Sequence, residues 1–527
     1  MARHGSVARG VLTTDAYQLT MAQLYFSTGM HERPARFEHF FRSNPDYGEH
    51  QAGYCVAAGL APFIGWTRRT RAAPADVAAL RGHLGRTGER VFTDEFCDWI
   101  GGLDFSGLSI EAVPEGRVVH PNTPITVVEG PLAVAQLMET PLLNQLNFPT
   151  LIATKASRTV EAAAGQPVFE FGLRRSAAEG GDAASRASVV GGAAATSNAG
   201  EAYRLGMTPV GTHAHSMVQV FLALGLGELG AFRAYADVFP DDCLLLVDTV
   251  DTLESGVPNA IRVFEELRRA GHAPVGIRLD SGDLAYLAVR AAAQLDAAGF
   301  GNTTIVLSSQ LDEITIWQIL QQIRVEAPRH GLDADRLVAR LSFGVGSRLA
   351  TSHGASSLDG VYKLVAVEDD GEWAPAMKVS DTPSKVLNPG AKRLWRMYDT
   401  DGSATADVLS TADEDLAASM GERSGGGGEV TVLHHHSRPD VSRSIAADRC
   451  SRVEELPVPV LADGELVYPG GQDALDDLDA ARARRDADVE RLDPGVRRLV
   501  NPHVYHVSLT DELFTAKQEL LDRFAAG

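Results

Sequence analysis

The stretch Gly211-Thr212-His213-Ala214-His215-Ser216 joins a predicted strand to a predicted helix. Before it, Met207–Val210 is predicted to end a buried strand, and after it Met217–Leu222 starts a helical pattern. Unpaired backbone N–H groups at the start of a helix attract anions, so a histidine at this junction can carry a proton, a metal ion or a phosphoryl group. A histidine pair can equally cap the helix or pack beneath it. The rest of the chain has to decide between these interpretations.

Short apolar runs recur on both sides of this junction and predict strands. They end near Phe171, Val190, Val210, Val247, Leu279, Leu307, Phe343 and Leu364. Amphipathic helices alternate with several of them, with apolar stripes at Leu284, Leu287, Ala291, Leu295 and at Ile316, Ile319, Leu320, Ile323. Roughly eight strand-helix repeats over about 200 residues are typical of a closed (β/α) barrel or a large doubly wound sheet, and the size favours the barrel.

The alternation of strands and helices covers only the middle of the chain, so we predict an α/β protein with three parts. These are an N-terminal α+β domain over residues 1–130, the barrel over 131–394, and a partly loop-rich C-terminal region over 395–527. In the first part a helix is predicted between Leu12 and Met30, with Thr14 or Asp15 as its N-cap. In the last part, Gly425–Gly428 is predicted to be a flexible linker, and His434–His436 a surface loop.

Composition narrows the class of function. The chain has 527 residues, of which 44% are hydrophobic, and a formal net charge of −21, which argues against a nucleic-acid or membrane-surface binder. Its four cysteines are far apart, so they predict neither a zinc site nor a disulfide framework. The N-terminus has no apolar signal segment and no stretch is long enough to span a membrane. We therefore expect a cytoplasmic protein.

Polar clusters follow the predicted strands. They are Phe169–Ser176, Ala195–Asn198, Gly211–Ser216, Val247–Asp251, Arg278–Asp283, Ser308–Asp312 and Phe343–Arg348. In a parallel barrel these loops converge on one face, which is where active sites form. Each cluster also has an ordinary explanation, since Asp283 and Asp312 are well placed as helix N-caps and glycine pairs are common in loops.

Together these clusters have coherent chemistry. A glycine-rich loop with Ser347 and Arg348 can bind a phosphate group, as can Arg174 through bidentate contacts. The carboxylates Asp248, Asp280 and Asp283 can bind sugar hydroxyls or a magnesium ion that also contacts ligand phosphates. A histidine beside phosphates and magnesium indicates phosphoryl or phosphoribosyl transfer.

Five of these segments, in order along the chain, closely resemble nicotinate phosphoribosyltransferase. They are Thr14–Met21, Glu170–Arg175, Gly211–Ser216, Arg278–Asp283 and Phe343–Ser347, and the match continues to Lys378-Val379-Ser380 and Pro389–Arg393. The resemblance implies a type II phosphoribosyltransferase-like barrel. It also implies an ATP-dependent ligase of NAD biosynthesis, which condenses nicotinate with phosphoribosyl pyrophosphate and hydrolyses ATP, with Mg²⁺ as cofactor.

The resemblance also assigns roles to residues. His215 would be the phosphorylated histidine, Asp248 and Asp280 would be its catalytic partners, and Mg²⁺ would be held mostly by ligand phosphates, with Asp280 as a candidate direct ligand. Tyr17 would cover the pyridine ring from a partner subunit, which makes a homodimer. The implied substrate-binding residues are Tyr17, Phe171, Arg174, Thr196, Ser197, Thr212, Arg278, Asp283, Ser309, Gly344, Gly346 and Ser347.

One position departs from the family pattern, because Ala195 stands where a glycine is expected. The neighbouring Thr196 aligns with an aspartate of the nicotinamide-using relatives. A carboxylate there would repel nicotinate by several kcal/mol at about 4 Å and intermediate dielectric, so Thr196 favours the acid over the amide.

Other functions stay open at this stage. The same fold could use quinolinate or nicotinamide, or it could serve as a non-enzymatic nucleotide sensor. A phosphate-binding barrel isomerase or aldolase would need a Schiff-base lysine at a strand end, for which Lys363 is the candidate.

Overall fold

The computed structural model describes residues 10–378, 386–423, 430–438 and 440–526. The chain forms two units, of which the first is discontinuous in sequence. We call Met1–Leu151 together with Ser357–Gly527 the split unit, and Ile152–Ser356 the inserted unit. The predicted linker Gly425–Gly428 and the matched residues Val379 and Ser380 lie outside the described residues.

The split unit contains an antiparallel sheet of seven strands, of which its N-terminal part supplies β1, β3 and β5. In order across the sheet these are β13 (Glu372–Pro375), β12 (Gly360–Asp369), β1 (Pro34–Phe41), β5 (Thr126–Pro131), β3 (Ser109–Ala112), β19 (Val458–Ala462) and β20 (Glu465–Leu466). A two-stranded sheet pairs β2 (Cys55–Val56) with β4 (Val118–Val119). The helices of this part are α1 (Ala16–Ser27), α2 (Leu60–Arg69), α3 (Pro74–Arg81), α4 (Asp94–Gly101) and α5 (Leu132–Leu137), followed by α6 (Glu139–Ala162).

Apolar residues on alternate positions hold this sheet against its helices. Phe37 of β1 and Tyr362 of β12 stack with ring centroids 4.8 Å apart, in a core that also buries Ile110 and Phe96. The predicted first helix is confirmed as α1, and the side chain of its N-cap residue Asp15 accepts a hydrogen bond from the Thr140 hydroxyl.

The C-terminal part of the split unit forms a second sheet of six strands. Across the sheet they are β17 (Ser442–Ala446), β16 (Val430–His435), β21 (His506–Thr510), β15 (Ala404–Thr411), β14 (Lys392–Asp399) and β18 (Cys450–Glu455). Its helices are α16 (Leu416–Arg423), α17 (Gly471–Asp476), α18 (Leu478–Glu490), α19 (Pro494–Arg497) and α20 (Asp511–Ala526). The region predicted to be partly loop-rich is therefore largely regular structure.

The inserted unit is a parallel α/β structure. Its six strands follow the order β7 (Ala195–Thr196), β6 (Val168–Glu170), β11 (Leu341–Val345), β10 (Thr304–Ser308), β9 (Gly276–Leu279) and β8 (Leu244–Leu246). Its helices are α7 (Ala178–Val190), α8 (Ala199–Arg204), α9 (His215–Ala223), α10 (Gly227–Val238), α11 (Val257–Ala270), α12 (Leu284–Ala297), α13 (Glu313–Glu326), α14 (Ala334–Val338) and α15 (Ser347–Ala350). The predicted α/β class is confirmed.

The segment Val210–His213 connects the two edge strands, β7 and β8, of this sheet. The Val210 N–H donates to the Thr196 carbonyl at the end of β7, at 3.0 Å. On the other side, the Leu246 N–H of β8 donates to the His213 ring atom Nε2, at 3.1 Å. Between the two edge strands, a histidine side chain thus takes the place of a strand backbone as hydrogen-bond acceptor for β8. We call the segment Val210–His213 the seam.

Two of the eight predicted strands are wrong, and a third is a strand of a different sheet. The run ending at Val190 is the buried face of α7, and the run ending at Val210 forms one backbone hydrogen bond to β7 without becoming a strand. The run around Leu364 belongs to β12, which pairs antiparallel with β1 in the split unit. The inserted unit is also shorter than the predicted barrel of 131–394, because residues 131–151 and 357–394 group with the split unit.

Candidate functional site

The imidazole of His215 lies at the first residue of α9, with its two nitrogens in different surroundings. Nδ1 lies 3.0 Å from the Thr249 hydroxyl. Nε2 points towards two carboxylates, 3.9 Å from Asp248 Oδ1 and 3.8 Å from Asp280 Oδ2. These last distances are too long for hydrogen bonds, so Nε2 faces an acidic opening rather than a fixed partner.

Each of those carboxylates is fixed by one oxygen. Asp248 Oδ2 accepts from the Asp280 N–H and from the Ser281 hydroxyl, while its Oδ1 is buried without a hydrogen-bond partner among the described residues. Asp280 Oδ1 accepts from Ser308 and Arg278, which leaves Oδ2 on the side of His215. Two hard oxygens directed at one opening fit a magnesium ion that takes its other ligands from phosphates and water.

The part of the chain that the structure describes holds no cluster of three or more His, Cys, Asp or Glu side chains suited to a metal ion. A magnesium ion at Asp248 and Asp280 would therefore depend on its ligand's phosphates.

Arg278 links this acidic opening to an aromatic ring. Its guanidinium donates to Ser308 Oγ and to Asp280 Oδ1, each at 2.8 Å, and its Cζ lies 5.4 Å from the centre of the Phe171 ring. Burial raises the pKa of Asp280, but the Ser308 hydroxyl and the Arg278 charge outweigh it and lower that pKa below its ordinary value. Asp280 is consequently a carboxylate at neutral pH.

The Phe171 ring lies directly against Gly344, near the end of β11. A Cβ added to Gly344 would lie 2.4 Å from the Phe171 ring, and one added to Gly346 would lie 3.1 Å from the Phe171 carbonyl oxygen. Both glycines are therefore needed for close packing. Ser347 follows as an exposed residue at the start of α15, but Arg348 is not free for a phosphate, because it forms an ion pair with Asp312.

The neighbouring strand ends on a buried carboxylate, Glu170. It accepts hydrogen bonds from the Ser185 hydroxyl at 3.0 Å, the Thr196 hydroxyl at 2.6 Å and the Gly172 N–H. Thr196 is fully buried, and its hydroxyl also accepts from the Asn198 N–H. The Thr196 hydroxyl is thus bonded to a carboxylate, and its predicted preference for nicotinate over the amide stays a prediction.

Other predicted residues lie at the strand ends without joining this cluster. Arg174 is exposed in a single 3-10 turn after β6, and Asp283 is exposed and caps α12 by accepting from the Tyr286 N–H. Ser197 donates its N–H to the Glu170 carbonyl. Ser309 is exposed with a φ of 107°, next to Gln310 with a φ of 46°. Two consecutive residues in the left-handed region mark a strained loop, as is common at functional sites.

Thr212 and His213 differ in whether their side chains are bonded within the described part of the chain. The Thr212 hydroxyl is buried and has no hydrogen-bond partner in the described part of the chain, so it is available to a ligand. His213 accepts the Leu246 N–H through Nε2 and packs against Tyr235, and burial lowers its pKa. To accept the Leu246 N–H at the seam, the His213 ring must be neutral with an unprotonated Nε2. The two histidines of the opening motif therefore differ: His213 is structural, and His215 faces the opening.

Comparison with known proteins identifies the family. The model of the nicotinate phosphoribosyltransferase N-terminal domain matches residues 12–147, and that of the C-terminal domain matches residues 391–517. Nicotinate phosphoribosyltransferase of Bacillus subtilis is 40% identical over 410 residues, which cover 77% of this chain and 77% of that protein. The chain belongs to the nicotinate phosphoribosyltransferase family.

Two further relatives extend the match over nearly the whole chain. Nicotinate phosphoribosyltransferase 2 of Arabidopsis thaliana is 31% identical, over 95% of this chain and 92% of its own length. The crystal structure of human nicotinic acid phosphoribosyltransferase superimposes with a TM-score of 0.76 at 31% identity, covering 96% of this chain and 99% of the human chain. The family fold therefore includes the C-terminal region, in which the sequence motifs were weakest.

Three residues hold the site of this nicotinate phosphoribosyltransferase family member together, although the sequence alone did not assign them a role. Thr249 holds His215, Ser308 holds both Arg278 and Asp280, and Glu170 organises the end of β6. Thr249 and Ser308 belong to the polar clusters that the sequence indicates, but neither had a distinguishing spacing. Their partners are about 30 residues away in sequence and become visible only when parallel strands align.

Two alternative sites lose their structural basis. Lys363, the candidate Schiff-base lysine, lies within antiparallel β12 and approaches Glu139 at 4.0 Å, so it is not at the end of a barrel strand. His434 and His435 lie in β16, so the predicted surface loop is wrong there. His434 stacks on Phe514 and contacts Asp511 at 2.9 Å.

Among the described residues, no helix combines the length and apolar character required to cross a membrane.

Tyr17 belongs to the split unit. Its side chain is 50% exposed, and its hydroxyl donates to Glu139 Oε1 at 3.3 Å. Its predicted contact with a partner subunit stays a prediction.

Proposed function

We propose that this protein condenses nicotinate with phosphoribosyl pyrophosphate to form nicotinate mononucleotide and pyrophosphate, and that it couples this synthesis to ATP hydrolysis through a phosphohistidine at His215. The observation that carries the proposal is the asymmetry of the His215 ring: Nδ1 is held by Thr249, and Nε2 is open towards Asp248 and Asp280. The substrates are those named by the family to which the chain belongs.

The phosphoryl transfer uses the open nitrogen. With the proton on Nδ1 donated to Thr249, the lone pair of Nε2 attacks the γ-phosphorus of ATP. The bond from that phosphorus to the β–γ bridging oxygen breaks, and ADP leaves with the electron pair. A magnesium ion would neutralise phosphate charge here, and Asp248 Oδ1 and Asp280 Oδ2 are the residues that would hold it. Water later hydrolyses the phosphohistidine to phosphate and free His215.

The glycosyl transfer needs positioning and charge stabilisation. The pyridine nitrogen forms a bond to ribose C1 while pyrophosphate leaves, through a transition state with positive charge on the ribose. Phe171 offers a ring face for the pyridine, and Arg278 beside it attracts the nicotinate carboxylate. The unpaired Thr212 hydroxyl is available for the phosphate end of the substrate.

The proposed homodimer has support in exposed apolar side chains. Val220 and Leu222 on α9, and Leu224 and Leu226 after it, are all exposed in the single chain. Contiguous exposed apolar side chains of this kind mark protein interfaces. In a dimer, Tyr17 of one subunit would serve the site of the other, and sedimentation velocity should show a particle of two chains.

One assay tests the reaction. The purified protein is incubated with phosphoribosyl pyrophosphate and Mg²⁺, with nicotinate, nicotinamide or quinolinate, and with or without ATP. We expect nicotinate mononucleotide, in larger amount when ATP is present. Product from nicotinamide or quinolinate but not from nicotinate would overturn the substrate assignment.

Two histidine variants test the phosphohistidine. His215→Ala should abolish both ATP-stimulated turnover and labelling by γ-³²P-ATP while slow basal synthesis remains. His213→Gln is the matched control, because its amide oxygen can still accept the Leu246 N–H, and it should remain labelled. Labelling that survives in His215→Ala and disappears in His213→Gln would reverse the assignment.

A further inference from the structure

The split unit contains a cavity of about 540 Å³ that no step of the proposed reaction uses. It lies beside β16 and β17 and the segment 502–508, and all of its lining residues belong to the split unit. A volume of this size is within the range of small-molecule sites.

The lining of this cavity is cationic. Its positive charge comes from three arginines, since none of its described residues is an aspartate or a glutamate, and it also contains five histidines. The chain as a whole has a net charge of −21, so this lining is opposite in charge to the average surface. A concave surface lined by one sign of charge concentrates ligands of the opposite sign.

Arg443 is the most informative of the three arginines. It lies on β17 opposite Leu433 of β16, and its Nε and Nη2 atoms are buried without a hydrogen-bond partner among the described residues. Burial lowers the pKa of this guanidinium, against the opposing influence of Tyr505. Buried charged donors are normally paired, so adjacent donors without an acceptor indicate that an anion binds there. Nε and Nη2 form one edge of the planar fork that binds phosphate in a bidentate way.

Flat rings line the same cavity. The rings of His435 and His436 stack with centroids 4.6 Å apart, and His120 stacks on Tyr505 at 3.7 Å. Burial lowers the pKa of His436 to about 4, so this ring is uncharged at neutral pH. His120 is fully buried, and both of its ring nitrogens have no partner in the described part of the chain. Neutral rings with free hydrogen-bonding edges suit a heteroaromatic base.

We propose that this cavity is a second nucleotide site, in which Arg443, together with Arg42 and Arg438, binds the phosphate and the histidine rings contact the base. ATP and nicotinate mononucleotide have the same required chemistry, a phosphate joined to a heteroaromatic ring by a ribose. The site is separate from the His215 cluster, because its residues are on different strands of a different unit.

Isothermal titration calorimetry on the full-length protein tests this site with three probes: ATP, nicotinate mononucleotide and inorganic phosphate. For at least one nucleotide, we expect the wild-type chain to show one more binding event per chain than Arg443→Gln, or the same event at least tenfold tighter. Arg86→Gln is the matched control, since Arg86 is exposed and outside the lining, and it should bind as the wild type does.

Two outcomes would overturn the proposal. One is identical titration of wild type and Arg443→Gln with both nucleotides; the other is Arg443-dependent binding of inorganic phosphate alone. If Arg443→Gln does not fold, Arg42→Gln and His435→Ala remove lining groups from other segments and are judged by the same criterion. Because the readout is binding and not turnover, a protein that fails the nicotinate assay can still pass this test.

Discussion

Two arginines of the split unit contrast in how their charge is satisfied. Arg396 is fully buried in β14, where it donates twice to Asp407 at 2.8 Å, to Asp488 at 3.1 Å and to the Val118 carbonyl at 2.8 Å. Arg443 in β17 has two buried nitrogens with no partner among the described residues. Arg396 is paired as a structural group is, whereas the two unpaired nitrogens of Arg443 can bind a ligand.

The two arginines are connected through Tyr505. Its hydroxyl donates to Asp407 Oδ1 at 3.3 Å, while its ring stacks on His120 in the cavity. The network around Arg396 also includes Arg117, which bonds to Asp488 and Glu454. An ionic network around Arg396 therefore contacts Tyr505 in the lining of the cavity, and urea unfolding can test the contrast between the two arginines.

The largest effect is expected from breaking the paired arginine. Asp407→Ala leaves Arg396 buried with much of its charge uncompensated, which should lower the free energy of unfolding by about 3–5 kcal/mol. The midpoint of urea unfolding measures this loss, and Asp479→Ala, whose side chain is 96% exposed, is the matched control. The double variant Asp407→Ala, Arg396→Met should regain most of the stability, and equal loss in both would show that the pair is not the cause.

A smaller effect of a different kind is expected at the unpaired arginine. Arg443→Met removes a guanidinium whose buried Nε and Nη2 have no hydrogen-bond partner among the described residues, so without ligand the free energy of unfolding should stay within about 0.5 kcal/mol of the wild type or rise. The same urea titration measures it. A loss comparable to that of Asp407→Ala would mean that Arg443 is structural, and the contrast between the two arginines would disappear.

A third difference between the two regions is their acid sensitivity. Burial favours protonation of Glu454, but Arg117 and Tyr398 outweigh it and hold its pKa at about 2, below an unfolded value of 4.5. The stability that it contributes is present above pH 4.5 and is lost as the pH falls through 2. His436, with a pKa lowered from 6.5 to about 4, resists protonation in the fold, so stability falls as the pH drops from 6.5 to 4.

Urea midpoints across this pH range separate the two regions. Glu454→Gln should flatten the dependence below pH 4.5 and leave the higher range unchanged. His436→Gln should flatten part of the dependence between pH 6.5 and 4, since other buried histidines contribute there too. If each variant altered the other's range, the assignment of the two pH windows would be wrong.

Local patterns predicted the features that depend on neighbouring residues. The stripes on α12 and α13 follow from helical periodicity, and both helices form with the predicted residues buried, except that Leu287 is half-buried. The Val190 run failed because Val189 and Val190 end an alanine-rich helix, which an apolar run alone cannot distinguish from a strand. Strand β7, with two residues, is too short to have a pattern.

The site was predictable as a set of strand ends but not as a set of contacts. The family motifs indicate His215, Asp248 and Asp280, and the fold brings these three together. Thr249 could not be chosen in advance, because its contact with His215 depends on how α9 meets the end of β8. Arg396 and Arg443 both lie in strands of charged and apolar residues, and only the tertiary partners distinguish a paired guanidinium from an unpaired one.

The division of the split unit has a consequence for synthesis on the ribosome. Strand β1 pairs with β12, so that Ala35 lies opposite Val367, and the ribosome makes the whole inserted unit before this partner exists. The inserted unit is continuous in sequence and can fold as soon as it emerges, because its strands need nothing from the flanking segments to pair. β1 can already pair with β5, but its other edge must stay unpaired until β12 is made, which leaves the nascent N-terminal segment exposed to aggregation during this interval.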